Sequence, residues 1–218
     1  MIAPSMMCAD FMHLDRELTL FEAQHIDLLH IDIMDGHYVP NFTLGPDFCA
    51  RLAARSTIPL DIHLMIEHVD TYVPVFAAFG QPWLCFHPEV SYHPLRTLAL
   101  IRSSGARPGI AIDPAVPLEQ LRYLLPECDF ACVMTVNPGY AGQKLIPSAI
   151  GKIRELRGWL DREGLDVAIE VDGNVSWANI PLMLDAGADI LVAGSSSLFA
   201  PDMERQAALR RMQAMIQS

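Results

Sequence analysis

Positive charge is scarce in this chain, whose 218 residues carry 15 Lys and Arg against 26 Asp and Glu, for a formal net charge of −11. Nucleic acid and anionic membrane surfaces are held by clustered basic residues, so neither is an expected partner. No apolar run approaches the ~20 residues needed to cross a bilayer. The positive mean hydropathy of +0.24 therefore points to buried parallel strands rather than to membrane spans. The five cysteines, Cys8, Cys49, Cys85, Cys128 and Cys132, are odd in number and contain no CxxC pair. That argues against a disulfide framework and a thiolate zinc site, and leaves free thiols packed mostly in the core. The opening MIAPSMMCADFMHLD has no basic leader and soon meets Asp10, so it does not read as a signal peptide and a cytoplasmic protein is expected. Low-complexity segments, charge runs and linkers are also missing, and residues 1–218 are expected to form a single domain.

What the chain does have is an even alternation of short apolar runs and longer amphipathic segments, the pattern of repeated βα units on a parallel sheet. Strands are predicted at 2–5, 27–33, 60–64, 83–87, 107–112, 130–135, 167–171 and 190–193. Helices are predicted at 13–24, 46–55, 69–79, 94–103, 118–124, 147–163, 176–186 and 202–216. Pro147 suits a first helical turn and Gly164 a helix end. Eight such units make an α/β fold of the (β/α)8 TIM-barrel type, with a doubly wound open sheet as the other arrangement.

Active sites of such barrels lie at the carboxyl ends of the strands, and here those ends are polar. The stretch HIDIMDGHYVPN places His30 and Asp32 two residues apart, on one face of the second strand. Ser5 ends the first strand, His63 the third, His87 the fourth, Asp113 the fifth and Asp172 the seventh, and Asn137 follows the sixth. Asp61 lies a layer deeper and His68 falls at a helix start, so neither is expected in the site; His37 and His93 read as loop residues. Two imidazoles and two carboxylates, His30, Asp32, His63 and Asp172, suit a divalent ion such as zinc, iron or manganese.

Glycine-bearing loops follow the last three strands. They comprise Gly139, Tyr140, Ala141 and Gly142, then Gly173 and Asn174, then Gly194 and Ser195. Backbone N–H groups there, with the amino end of a short helix, would hold a phosphate without Arg or Lys. The same glycines also suit ordinary tight turns. Met34, Met65 and Met134 recur beside the polar strand ends and are expected to wall the reacting centre, whereas Met183, Met203, Met212 and Met215 fill the core.

APSMMCAD, HIDIMDGHYVPN, LDIHLM, FHPE, VMTVNPGYAGQKLIP, EVDGN and AGSSSLF run nearly end to end. Through them the chain resembles the ribulose-phosphate 3-epimerases and their relatives, the allulose-6-phosphate 3-epimerases. The resemblance implies a barrel isomerase of carbohydrate metabolism that inverts carbon 3 of a ketose phosphate through a cis-enediolate. The substrate pair it implies is D-ribulose 5-phosphate with D-xylulose 5-phosphate, or D-allulose 6-phosphate with D-fructose 6-phosphate. It implies one divalent ion (Zn favoured over Fe, Mn, Co or Mg) on His30, Asp32, His63 and Asp172, with no organic cofactor. Asp32 and Asp172 would double as the acid/base pair, and Ser5 and His63 would touch the sugar. Sugar or phosphate contacts would come from Gly139 to Gly142, Asp172 to Asn174, Gly194 and Ser195, and a homo-oligomer is expected. VDGN replaces the common VDGG; PSMMC and WLDREGL look like the allulose-phosphate branch and NPG like the ribulose-phosphate branch. Aldolases and decarboxylases also use phosphate-binding barrels, but usually need a Schiff-base or charge-stabilising lysine, and Lys144 and Lys152 lie at no strand end. A noncatalytic sugar-phosphate sensor is the reading outside enzymology.

Overall fold

Residues 1–217 are described in a computed structural model. Eight parallel strands form one sheet in the order β1-β8-β7-β6-β5-β4-β3-β2. They are β1 (Ile2–Pro4), β2 (Leu29–Met34), β3 (Leu60–Met65), β4 (Trp83–Phe86), β5 (Arg107–Ile112), β6 (Phe130–Met134), β7 (Ala168–Asp172) and β8 (Ile190–Ala193). Ser5 continues β1 far enough to bridge His30 in parallel, which brings the first and last strands of that order together and nearly closes a barrel. This is the (β/α)8 arrangement predicted from the alternation, in a single domain.

Seven α-helices surround the strands among the described residues: α1 (Leu14–Ala23), α2 (Pro46–Arg55), α3 (Val69–Ala77), α4 (Pro94–Ser103), α5 (Ser148–Glu163), α6 (Ile180–Asp185) and α7 (Arg205–Ile216). The fifth predicted helix, at 118–124, is replaced by two 3-10 turns, Leu118–Leu121 and Leu125–Glu127. Pro117 and Pro126 bracket the segment, and a proline both lacks the N–H a continuing helix needs and disfavours helical backbone before it. Proline also shortens α6, predicted to start at Ser176: from there Pro181 would fall in the helix interior, whereas a start at Ile180 puts it in the first turn. The start of α7 is set by Glu204, whose carboxylate accepts from Ala207 N at 2.9 Å.

Strand residues are buried on both faces. The outer face meets the helices in a large core that includes Ile31, Ile62, Leu84, Ile110, Val133, Ile169 and Leu191. The inner face holds Cys85, Ala111, Phe130, Cys132 and Met134 in one apolar cluster, with Ala3, Leu28 and Ile190 in another. Gly109 on β5 makes room for Phe130, because a Cβ there would lie 2.4 Å from the Phe130 ring. No helix among the described residues is long and apolar enough to cross a membrane.

Candidate metal centre and active site

The β2–β3 register sets Asp32 opposite His63 and His30 opposite Asp61. Polar side chains therefore enter the barrel in two layers. In the upper layer Asp32 Oδ1 lies 3.3 Å from His30 Nε2 and 3.5 Å from His63 Nδ1. Asp172, from the end of β7, brings its Oδ2 to 4.0 Å from His30 Nε2 and 3.9 Å from His63 Nδ1. One donor atom from each of the four residues lies within 4.8 Å of all the others. Both histidines are fully buried, and His63 Nδ1 has no hydrogen-bond partner although it faces two carboxylates. An orphaned buried nitrogen among two imidazoles and two carboxylates fits a divalent cation.

The lower layer is one the sequence reading missed. Asp61, expected outside the site because it lies deeper, accepts from His30 Nδ1 at 2.5 Å. That bond turns His30 Nε2 towards Asp32 and makes it the nitrogen offered to a cation, as a carboxylate behind a metal-binding histidine does. Glu170 on β7 completes the layer 3.8 Å from His30 Nδ1, and both of its buried oxygens lack partners. The paired register and the two-residue period in LDIH and IEVD carried this signal.

These surroundings push the carboxyls apart. Burial alone would raise Asp32, but His30 and His63 outweigh it and hold Asp32 well below the usual carboxylate range. Asp172 is pushed up to about 6 by burial and by the neighbouring Asp32 charge. Burial would lower His30, yet Asp61 and Asp32 keep it well above the ordinary histidine value. Glu170 is raised by burial and by Asp61, which favours its neutral form.

Above the four residues opens a cavity lined by nearly every other residue singled out in the sequence. Ser5, Met34, Met65 and Met134 line it with the two aspartates, and so do Gly139, Tyr140, Ala141, Gly142, Gly173, Asn174, Gly194 and Ser195. Asn137 is also there, whereas His30 and His63 lie beneath the floor with no exposed surface. Ser5 Oγ donates to Asp32 Oδ2 at 3.3 Å. His87 is set behind His63, with their Nε2 atoms 2.9 Å apart. Asp113 turns to its own loop and accepts from Ala115 N at 2.8 Å.

The loops after β6, β7 and β8 are tied to one another. Asn174, in left-handed backbone at φ 44, donates to Gln143 O at 2.8 Å and Ser196 Oγ at 3.3 Å. Gly173 has φ 107, and a Cβ there would fall 2.5 Å from Val136 Cγ2, so the turn after Asp172 needs glycine. Thr135, also missed in the sequence, donates its hydroxyl to Gly173 O and its N–H to Asp172 O at 2.7 Å. After β8 the chain makes a turn, with Phe199 N on Gly194 O at 3.0 Å, before α7 begins.

Lysine chemistry has no footing at this mouth. Lys152 Nζ is engaged by the carbonyls of Asp113, Pro114 and Val116 at 2.7 to 2.9 Å, and Lys144 is exposed outside the cavity lining.

Fold and site together define a barrel with a two-histidine, two-aspartate metal-type centre at its carboxyl mouth. The model of the Ribulose-phosphate 3 epimerase family matches residues 1–199. The chain is 44% identical over 206 residues to the ribulose-phosphate 3-epimerase of Escherichia coli K12, covering 94% of this chain and 92% of that protein. To that of Bacillus subtilis it is 42% identical over 196 residues, covering 89% and 90%. The chain belongs to the ribulose-phosphate 3-epimerase family and is an isomerase of that family. Among solved structures a mutant tryptophan synthase alpha-subunit from Pyrococcus furiosus matches at TM-score 0.67 with 12% identity, over 99% of this chain and 96% of that one. At that identity the likeness concerns the barrel alone.

Proposed function

We propose that this chain interconverts D-ribulose 5-phosphate and D-xylulose 5-phosphate, with Asp32 and Asp172 as the acid/base pair. The observation that carries the proposal is the pair of carboxyls on β2 and β7, Asp32 and Asp172, which both line the cavity and sit within one four-residue cluster. Inversion at carbon 3 requires a proton to leave one face and another to arrive on the opposite face. One of the two aspartates, as carboxylate, accepts the proton, and the other, in its protonated form, donates one on the opposite face. The two exchange roles in the reverse direction.

His30, Asp32, His63 and Asp172 are the proposed metal ligands, and zinc is favoured by a mixed imidazole and carboxylate donor set. A divalent cation held there supplies positive charge against the developing cis-enediolate oxygens, worth several kcal/mol. Ser5, hydrogen-bonded to Asp32, orients that carboxylate and reaches the sugar. Met34, Met65 and Met134 exclude water and competing hydrogen bonds from the reacting carbon. The glycine-bearing loops after β6, β7 and β8 receive the phosphate through backbone N–H groups, remote from carbon 3, so that its binding orients the sugar.

D-Allulose 6-phosphate with D-fructose 6-phosphate is the second substrate pair, favoured by the PSMMC opening and the WLDREGL segment. Further copies of the chain are the proposed protein partner, supported by Phe42, Tyr72 and Tyr92, which stay exposed. A cytoplasmic setting is supported by five free cysteines. Chelation followed by stoichiometric zinc tests the metal centre: activity is lost and then restored. Full turnover in rigorously metal-free protein excludes the Lewis-acid role.

A further inference from the structure

The FHPE segment after β4 has no part in the proposed proton transfers, yet it contacts a proposed ligand directly. His63 and His87 meet Nε2 to Nε2 at 2.9 Å, with ring centroids 5.0 Å apart. Two bare nitrogens repel at that distance and two N–H groups collide, so one hydrogen lies between them. On its other side His87 Nδ1 faces Glu89 Oε1 at 3.4 Å, the nearest carboxylate to it, without a hydrogen bond of good geometry. That same oxygen accepts from the Tyr38 hydroxyl at 2.8 Å. The Tyr38 ring also covers His87, with centroids 4.7 Å apart.

Glu89 decides the direction of the chain. Its carboxylate is an acceptor, so a bare His87 Nδ1 would set lone pairs against lone pairs. With the hydrogen on His87 Nδ1, neutral His87 has a bare Nε2, and the shared hydrogen belongs to His63 Nε2. His63 Nδ1, which faces Asp32 at 3.5 Å and Asp172 at 3.9 Å, is then the nitrogen that gives up its hydrogen when a cation takes the place between them.

We infer that His87 is a positioning residue, held by Glu89 and Tyr38, which sets the tautomer of His63 and leaves His63 Nδ1 bare for the cation. The chain also anchors the loop between β2 and α2 to β4, since Tyr38 lies on that loop. The inference rests on the proposed metal centre, but the tautomers can be read without metal.

The test uses the full chain with 15N-labelled imidazoles, stripped of metal, and long-range 1H–15N spectra. The expected result is a hydrogen on His63 Nε2 and on His87 Nδ1. A bare Nε2 on His63 would overturn the assignment. Cobalt(II) affinity is then measured by competition for His87→Phe and His87→Gln. Phe cannot accept from His63 and is expected to lose about 10–100-fold; the Gln carbonyl can accept, and recovers most of the loss. Parent-like affinity in a folded His87→Phe chain contradicts the positioning role. Should that variant not fold, the tautomers of the unmodified chain still decide. Failure of the parent to bind cobalt would count against the metal reading alone.

Discussion

A carboxylate that both holds a cation and carries a proton needs its two oxygens in different company. Asp32 meets that condition, with Oδ1 among the histidines and Oδ2 on the Ser5 hydroxyl. Asp172→Asn keeps the shape and removes the proton carrier, so kcat is expected to fall by about a thousandfold. Melting within a few degrees of the parent, measured alongside, would show that the fold is intact; near-normal turnover would sink the two-carboxylate mechanism. Asp61→Asn weakens the hold on His30 and is expected to lower zinc affinity about 10–100-fold, read by chelator competition. A parent-like affinity would show that the 2.5 Å bond from His30 has no bearing on metal binding. His30, Asp32, His63 and Asp172 were legible from strand ends and ligand chemistry. Asp61 and Glu170 were not, because their place beneath His30 depends on a register between strands far apart in sequence.

At the scale of elements, the loop from β2 to α2 is organised by Asp35. Its Oδ1 accepts from His37 N at 2.9 Å and Tyr38 N at 3.2 Å, and its Oδ2 from Glu67 N at 2.8 Å. Burial would raise its pKa, but these three N–H groups outweigh burial and lower it. A group whose folded pKa is depressed stabilises the fold above its unfolded value, near 3.9, and loses that contribution as pH falls through the folded value. Asp35→Ala is therefore expected to cost roughly 1 kcal/mol at neutral pH, with the difference from the parent shrinking below about pH 4 in urea melts. A difference that stayed constant through acid would exclude this origin. The same loop reaches the phosphate side through Asn41 Nδ2, which donates to Gly139 O at 2.9 Å, so the variant should also raise KM. Strand positions were legible almost to the residue because both sheet faces are buried and the outer one is apolar throughout. The helix predicted at 118–124 and the start of α6 were misread where proline spacing overrides amphipathic pattern.

Across the whole molecule, the acidic balance and the cavity fit together only if the substrate's charge is met locally. A net charge of −11 repels a sugar phosphate at long range. Attraction would come from the proposed cation and from backbone N–H groups at the mouth, where charge acts at contact distance. The barrel supplies this arrangement by placing β2, β3 and β7 around one centre and the loops after β6, β7 and β8 around the other end of the cavity. Fold and family were legible end to end in the sequence; the choice between a pentulose and a hexulose phosphate was not, because PSMMC and NPG point to different branches and the loops around the cavity take their shape from contacts made only after folding. The central claim is proton exchange at carbon 3 by two opposed aspartates, and its most direct test is solvent deuterium. Zinc-loaded chain is incubated in D₂O with D-ribulose 5-phosphate and, separately, with D-allulose 6-phosphate, and deuterium at carbon 3 is followed by NMR. Deuterium should enter carbon 3 of D-ribulose 5-phosphate as D-xylulose 5-phosphate forms, and exchange with neither sugar would contradict the mechanism.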